Sequence, residues 1–286
     1  MFACLVMLRV CSRLKLNDVV TKIGLHKQNV QPVHVVFTSR KCEDKPCSDV
    51  EIQVEANCAA AFSYLEPGII EFVHVPAFVT RNNKYGLPQL ESLFMYAYEL
   101  YPRASTYTYV NSDLITDKSF YRTIKFVSEK LRGTDLVIVG TRADVVWNKN
   151  WSWTKDFDFT SKFKSGTMAR QDAVDYFVTT RNAIRWHSVP PFVIGRPAFD
   201  NWLVNYAAQS PHVLLIDASK TIKMLHQSIQ SGLDHWESMS VLDDRDFNRH
   251  IGHGGYHVGY TYIAKCYTKY LGSRIRLAGH CKTSAL

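Results

Sequence analysis

Residues Thr106–Gly140 read TYTYVNSDLITDKSFYRTIKFVSEKLRGTDLVIVG. Thr106–Val110 is dense in β-branched and aromatic side chains, the composition of a strand. It runs into a polar triplet, Asn111-Ser112-Asp113. Phe120–Leu131 follows with a helical pattern, and Leu136–Gly140 is a short apolar run of strand type. Strand, helix and strand in this order predict an α/β fold with a mostly parallel central sheet flanked by helices. In such sheets, sites form at the carboxyl ends of strands. Asn111–Asp113 and Thr141-Arg142 both fall at such ends.

The same alternation extends outward. Val33–Ser39 (VHVVFTS) and Ile69–Val75 (IIEFVHV) read as buried strands, with Pro76 ending the second. Between them Val50–Leu65 is helical, and Pro67-Gly68 stops it. Leu87–Tyr101 has apolar residues at helical spacing, with Pro88 expected in its first turn. Asp144 ends the clear pattern, and Trp147–Phe163, aromatic and charged, reads as a surface excursion. Asp175–Thr179, Phe192–Ile194 and Val213–Asp217 read as further strands. No repeat, low-complexity tract or linker divides the chain. The expected division is an N-terminal segment over 1–28, a single α/β domain over 29–232 and a His/Gly-rich extension over 233–286.

With 46% hydrophobic and 21% charged residues among 286, the composition is that of a globular chain with ample core. No apolar run is long enough to span a bilayer. The leading MFACLVMLRVCSR is apolar, but no basic residue precedes that stretch and it is short for a signal-peptide core. It reads as a first strand or a truncated anchor, which leaves membrane association open. A net charge of +8 favours anionic ligands. Its cations are scattered, with neither a dense basic run nor an RNA-binding signature, so nucleic acid is not an expected partner. The seven cysteines form no CxxC pair. A Cys42–Cys47 or Cys47–Cys58 disulfide and free thiols are both compatible with their spacing. Asn150-Trp151-Ser152 is a glycosylation sequon that matters only in a secreted chain.

Val189–Val204 (VPPFVIGRPAFDNWLV) bears most on function. A Pro-Pro bend and an apolar run lead to Gly195-Arg196-Pro197, and Pro197 suits the first turn of a helix. Asp200 then falls near the helix N-terminus, where the backbone N–H groups and the dipole are expected to keep it ionised. That arrangement serves capping as well as catalysis. An acid at a strand end with a polar neighbour two residues earlier, as in Asn111-Ser112-Asp113, can hold a divalent cation whose open positions take diphosphate oxygens. The same residue types also make ordinary turns. His226, expected at a strand end, would complete a mixed oxygen and nitrogen site better suited to Mn²⁺ than to Ca²⁺. Asp175-Tyr176 opens a short strand whose plain reading is edge packing. The glycines among His250, His253 and His257 argue against a helical zinc pair, and a flexible surface loop is the expectation there.

The order NSD, TRAD, DYFV, PPFVIGRPAFDNW and IDAS…HQ resembles the GT-A nucleotide-diphospho-sugar transferases. Within them it is similar to a little-characterised branch with N-[AS]-D, D-Y-F-V, I-G-R-P-x-[WF]-D-N-W and I-D-A-[TS]…H-Q. Asn83–Phe94 (NKYGLPQLESLF) resembles the helix that precedes the NSD strand in that branch. The likeness covers roughly residues 30 to 230, and IGRPAFDNW is its most specific block. It implies a GT-A-like, Rossmann-related single domain and a glycosyltransferase using a nucleotide-sugar donor, a glycan or other hydroxyl acceptor, and Mn²⁺ or Mg²⁺. Asp113 would bind the metal, with Asn111 in place of the first acid of a D-x-D, and His226 would be the second ligand or a diphosphate contact. Asp200 would be the general base in an inverting transfer. Arg142 and Asp175 would shape the donor and acceptor pocket, together with Asn111, Tyr176, Arg196, Asn201 and Trp202. The alternative is a catalytically inactive GT-A-like scaffold that binds a glycan or a protein.

Overall fold

A computed structural model describes residues 34–38, 49–75, 88–146, 157–194, 196–228 and 246–282. The first described strand, β1 (His34–Thr38), leads through α1 (Asp49–Ser63) to β2 (Ile70–His74). Next come α2 (Leu90–Leu100), β3 (Thr106–Val110), β4 (Leu114–Thr116), α3 (Lys118–Lys130), β5 (Asp135–Val139) and β6 (Ala143–Val146). Then α4 (Phe159–Ser165), β7 (Thr167–Met168), β8 (Tyr176–Thr179), α5 (Phe199–Gln209), β9 (Val213–Asp217) and β10 (Met224–Ser228) follow. Strands β11 (Cys266–Leu271) and β12 (Arg274–Gly279) close the described chain.

These strands build an α/β fold around an eight-stranded sheet of order β12-β11-β9-β5-β8-β3-β1-β2. Strands β2, β1 and β3 run parallel to one another, as do β5, β9 and β11. Strand β8 is antiparallel to both β3 and β5 and sits between the two parallel groups. The Asp175–Thr179 segment is therefore interior to the sheet, not an edge strand. A second sheet of order β4-β10-β6-β7 lies beyond the carboxyl ends of the first.

The central strands are buried along their length because the sheet is covered on both faces, and successive side chains enter opposite cores. Tyr107, Tyr109, Val137, Val139, Phe177 and Leu215 join Phe94 of α2 and Leu203 and Val204 of α5 in one core. Val36, Val110, Leu136, Ile138, Val178 and Ile216 meet Phe62 of α1 and Phe120, Ile124 and Val127 of α3 on the other face. Phe120, Ile124 and Val127 recur at helical spacing, and burying each contributes about 2 kcal/mol. Asp117 caps α3 by accepting the Ser119 N–H at 2.8 Å.

Several expectations are corrected. Pro88 lies in an extended lead-in to α2, whose first helical residue is Leu90. Among the described residues Phe192–Ile194 makes only a single bridge, Val193 to Gln89, because the partner turns into α2 at Leu90, while Asn248 occupies the other edge of Val193. The described part of Trp147–Phe163 belongs to helix α4, with Phe159 buried beside Val145 and Leu225. The His/Gly segment is not a loose loop. Residues 246–251 are helical and Gly255–Val258 forms a 3₁₀ turn against α5. Gly259 passes so close to α5 that a Cβ there would run into the Asn201 carbonyl. A disulfide joins Cys266 to Cys281, a pair that spacing did not single out, while Cys58 is free and buried. Cys42, Cys47, Asn150, Gly195 and the leading MFACLVMLRVCSR lie outside the described residues.

Asn248 ties the carboxyl-terminal segment to the rest of the fold. Its buried amide accepts from the Val193 N–H and donates to the Val193 carbonyl, both at 2.9 Å. Asn248→Ala leaves both backbone groups without a partner, and we expect it to cost about 2–4 kcal/mol in urea unfolding.

Candidate functional site

Three times the chain leaves the main sheet at a polar turn and enters the small one. Strand β3 passes through Asn111-Ser112-Asp113 into β4, β5 passes through Gly140-Thr141-Arg142 into β6, and β9 leads through residues 218–223 into β10. The polar turns thus gather at the seam between the sheets. Because β8 runs antiparallel, its amino end meets the carboxyl ends of β3 and β5. The Asn111 N–H donates to the Asp175 carbonyl at 3.0 Å.

The side chains form one connected cluster. The Tyr109 hydroxyl donates to Asn111 Oδ1 and Asn111 Nδ2 donates to Asp175 Oδ1, each at 2.8 Å. Arg142 pairs through one terminal nitrogen with Asp175, and its Nε donates to Asp144 Oδ1 at 2.9 Å. His226 Nδ1 also lies 2.9 Å from Asp144 Oδ1, and Nε2 faces Asp113 Oδ2 at 3.3 Å. Register explains the last two contacts, since His226 is aligned with Asp144 in β6 and with Leu114, the residue after Asp113, in β4. His226 is therefore in mid-strand, not at a strand end.

Electrostatics follow from this crowding. Burial opposes charge on His226, but the Asp113 charge and hydrogen bonds to Asp113 and Asp144 outweigh it and lift the imidazole to about 9. Burial also works against Asp144, yet His226 and Arg142 together hold its carboxyl down at about 2. Asp200 behaves differently from expectation. Burial pushes it up to about 6, against the backbone N–H groups of Asn201, Asp200 and Ala198 and the charge of Arg142. The helix mouth does supply donors, including Asn201 N–H at 2.9 Å. Desolvation is the larger effect, because the carboxylate is largely enclosed by protein. Just ahead of it Ala198 has φ of 92°, a left-handed conformation costly for a residue with a Cβ.

Beside the cluster lies an open depression of about 380 Å³, lined by Arg142, Asp144, Met168, Arg170 and Asp172 among others. Arg170 pairs with Asp172 at 2.8 Å on its rim. Asn111, Asp113, Arg142, Asp175 and His226 are brought together. Asp200 stands near enough for the Arg142 charge to act on it. Asn201 is next to this group but commits its amide to the carbonyls of Asp172 and Gly259. Trp202 is not brought to the cluster, since its ring packs on Phe192 and Tyr206. Tyr176 is buried in the core, with its hydroxyl against Gly140, and Arg196 is half-buried in the turn before α5. Asp144 was overlooked as a site residue. Its signal was its spacing, two residues from Arg142 and so on the same face of an extended chain.

Asp113 and His226 fit a divalent cation only as a two-residue site, and the cation would have to displace the proton that Asp113 and Asp144 hold on the imidazole. Among the described residues no group of three His, Cys, Asp or Glu side chains could hold a metal ion. The Asp144 contact orients His226 as ligating histidines are oriented by a carboxylate behind them. So small a donor set suits Mg²⁺ or Mn²⁺ sharing its coordination with water and phosphate oxygens. A scan against protein-family models finds no match, and a search of curated proteins finds no significant similarity.

Arg142 and Asp144 each give an expected outcome. Arg142→Ala removes the cation shared by the Asp144 and Asp175 carboxylates, and urea unfolding should register a loss of about 1–3 kcal/mol. Asp144→Asn removes an acceptor that favours the imidazolium, so NMR titration of His226 should give a midpoint below about 9.

Proposed function

We propose that this chain is a metal-assisted glycosyltransferase of GT-A type, moving a sugar from a nucleotide-diphosphate donor to an acceptor hydroxyl. One observation carries the reading. Asn111, Asp113, Arg142, Asp175 and His226, far apart in sequence, form one hydrogen-bonded cluster at the carboxyl edge of the sheet, with Asp200 beside it. The GT-A resemblance assigns roles to these same residues. Acids outnumber cations in the cluster, so a diphosphate needs a positive partner to enter. Mn²⁺ or Mg²⁺ held by Asp113 and His226 would offset that charge and the charge gained by the departing nucleoside diphosphate.

The remaining work falls to side chains. Asp144 positions His226, and Arg142 holds Asp144 and Asp175 in place. In an inverting transfer the acceptor oxygen bonds to the anomeric carbon while the bond from that carbon to the diphosphate oxygen breaks. The nucleoside diphosphate leaves with the electron pair, and the acceptor proton passes to Asp200. A carboxylate with its pKa near 6 is a stronger base than an ordinary aspartate and is still mostly ionised at neutral pH.

The second reading, a glycan- or protein-binding scaffold without catalysis, draws on Asn111. Its amide is engaged by Tyr109 and Asp175, and it brings no negative charge where a D-x-D has its first acid. Such a protein binds sugar without donor hydrolysis or transfer.

A thermal-shift panel of UDP- and GDP-sugars with and without Mn²⁺ tests the donor half. We expect stabilisation that needs nucleotide sugar and metal together, and no shift with any combination would count against sugar transfer. Asp200→Asn should keep donor binding and lose turnover. Wild-type kcat/KM should fall as pH drops through about 6, because the base is then protonated. The same variant should be more stable than wild type at neutral pH, by up to about 3 kcal/mol in urea unfolding. A folded-state pKa above the unfolded one means that Asp200 costs stability once pH rises through that window.

A further inference from the structure

Strands β11 and β12 form an antiparallel hairpin at one edge of the main sheet, closed by Gly272-Ser273. The register sets Lys269 opposite Arg276 and Leu271 opposite Arg274. Directly opposed residues share a face, as do residues two apart on one strand. Lys269, Leu271, Arg274 and Arg276 therefore stand on one face, and all of them are exposed. The other face is turned inward. There the Thr268 and Thr221 hydroxyls lie 2.5 Å apart, and Leu277 packs on the core.

Like charges set directly opposite one another destabilise a strand pair. Beyond Asp246 the sequence contains no Asp or Glu, whereas Arg249, Lys265, Lys269, Arg274, Arg276 and Lys282 fall there. Among the described residues no ion pair reaches Lys269, Arg274 or Arg276. The hairpin also outruns its neighbour in the sheet, with its inner face held against Thr221. Strand β11 pairs with β9 only through Cys266 and Tyr267, so Thr268–Leu271 continues past the carboxyl end of β9. At strand rise that is about 13 Å. Leu271, 66% exposed, stands at the tip on the basic face, whereas Tyr270 lies on the inner face with its hydroxyl donating to the Thr221 carbonyl at 3.4 Å.

We propose that this hairpin docks the protein on an anionic lipid bilayer. The basic face meets the headgroup charge, and Leu271 enters the interface between headgroups and acyl chains. A nucleic acid would satisfy the cations but leave Leu271 in water at the point of contact. A bilayer satisfies both. The tip projects from the same edge of the sheet that carries Asn111, Asp113 and Arg142, so docking turns that edge toward the membrane. The surface is independent of the sugar-transfer chemistry.

The test is co-sedimentation of the full chain with vesicles of phosphatidylcholine alone or mixed with phosphatidylserine, at low and high salt. We expect binding to the mixed vesicles at low salt, its loss at high salt, and none to phosphatidylcholine alone. Each cation near an anionic surface contributes about fivefold, so Lys269→Gln with Arg276→Gln should weaken binding roughly 25-fold. Arg103→Gln with Arg185→Gln removes the same charge from exposed positions at the opposite edge of the sheet, and should change binding by less than about twofold. Leu271→Ser should weaken binding and leave its salt dependence unaltered. A melting midpoint equal to or above wild type would show that the Lys269/Arg276 variant is folded, since it loses a like-charge pair. Absence of binding to mixed vesicles overturns the proposal. So does equal loss in the two double variants, or binding of a single- or double-stranded oligonucleotide in place of the vesicles.

Discussion

The guanidinium of Arg142 lies between the carboxylates of Asp144 and Asp175, and the arrangement of the candidate site depends on that contact. Asp175 immediately precedes β8 of the main sheet, whereas Asp144 belongs to the small one, so a single side chain joins the two layers at their seam. Without it, the acids at the seam would repel one another in a poorly hydrated space. Arg142 also acts through its charge, opposing protonation of His226 and of Asp200 alike.

A cluster of this kind is a poor device for stability. Removing charges from water costs several kcal/mol each, and the attraction between them repays that only when the geometry and the remaining hydrogen bonds are good. Apolar side chains would close the same seam at lower cost. The charged cluster therefore supports a chemical reading better than a structural one, and Asp200 points the same way. Its carboxylate is held where burial disfavours charge, behind a residue in a strained left-handed conformation. Groups displaced from their ordinary pKa in this way cluster at functional sites.

Much of the frame was legible along the chain. The strands over His34–Thr38, Thr106–Val110, Asp135–Val139 and Val213–Asp217 are short runs of β-branched and apolar residues, because both faces of each are covered. Helices α1, α2 and α3 announce themselves by apolar spacing and by their stops. The small sheet was less legible. Strands β4 and β6 have three and four residues, too few for a periodicity to declare itself. The His/Gly segment misled for a related reason. Its glycines signal flexibility in isolation, but here they let the chain pass close to Trp202 and Asn201.

The sequence by itself determined the α/β class and the residue types gathered at the strand ends, because local composition and spacing set strand, helix and turn. It also determined which acids, arginine and histidine were available for a site. Only the tertiary structure decided that β8 runs antiparallel, which brings Asp175 to Asn111 and Arg142, since a strand's composition reads alike in both directions. Only it decided that His226 lies between Asp113 and Asp144, and that Asp200 is shifted up instead of remaining an ordinary ionised cap. Pairing partners and desolvation are set by atoms distant in sequence, and no local pattern encodes them.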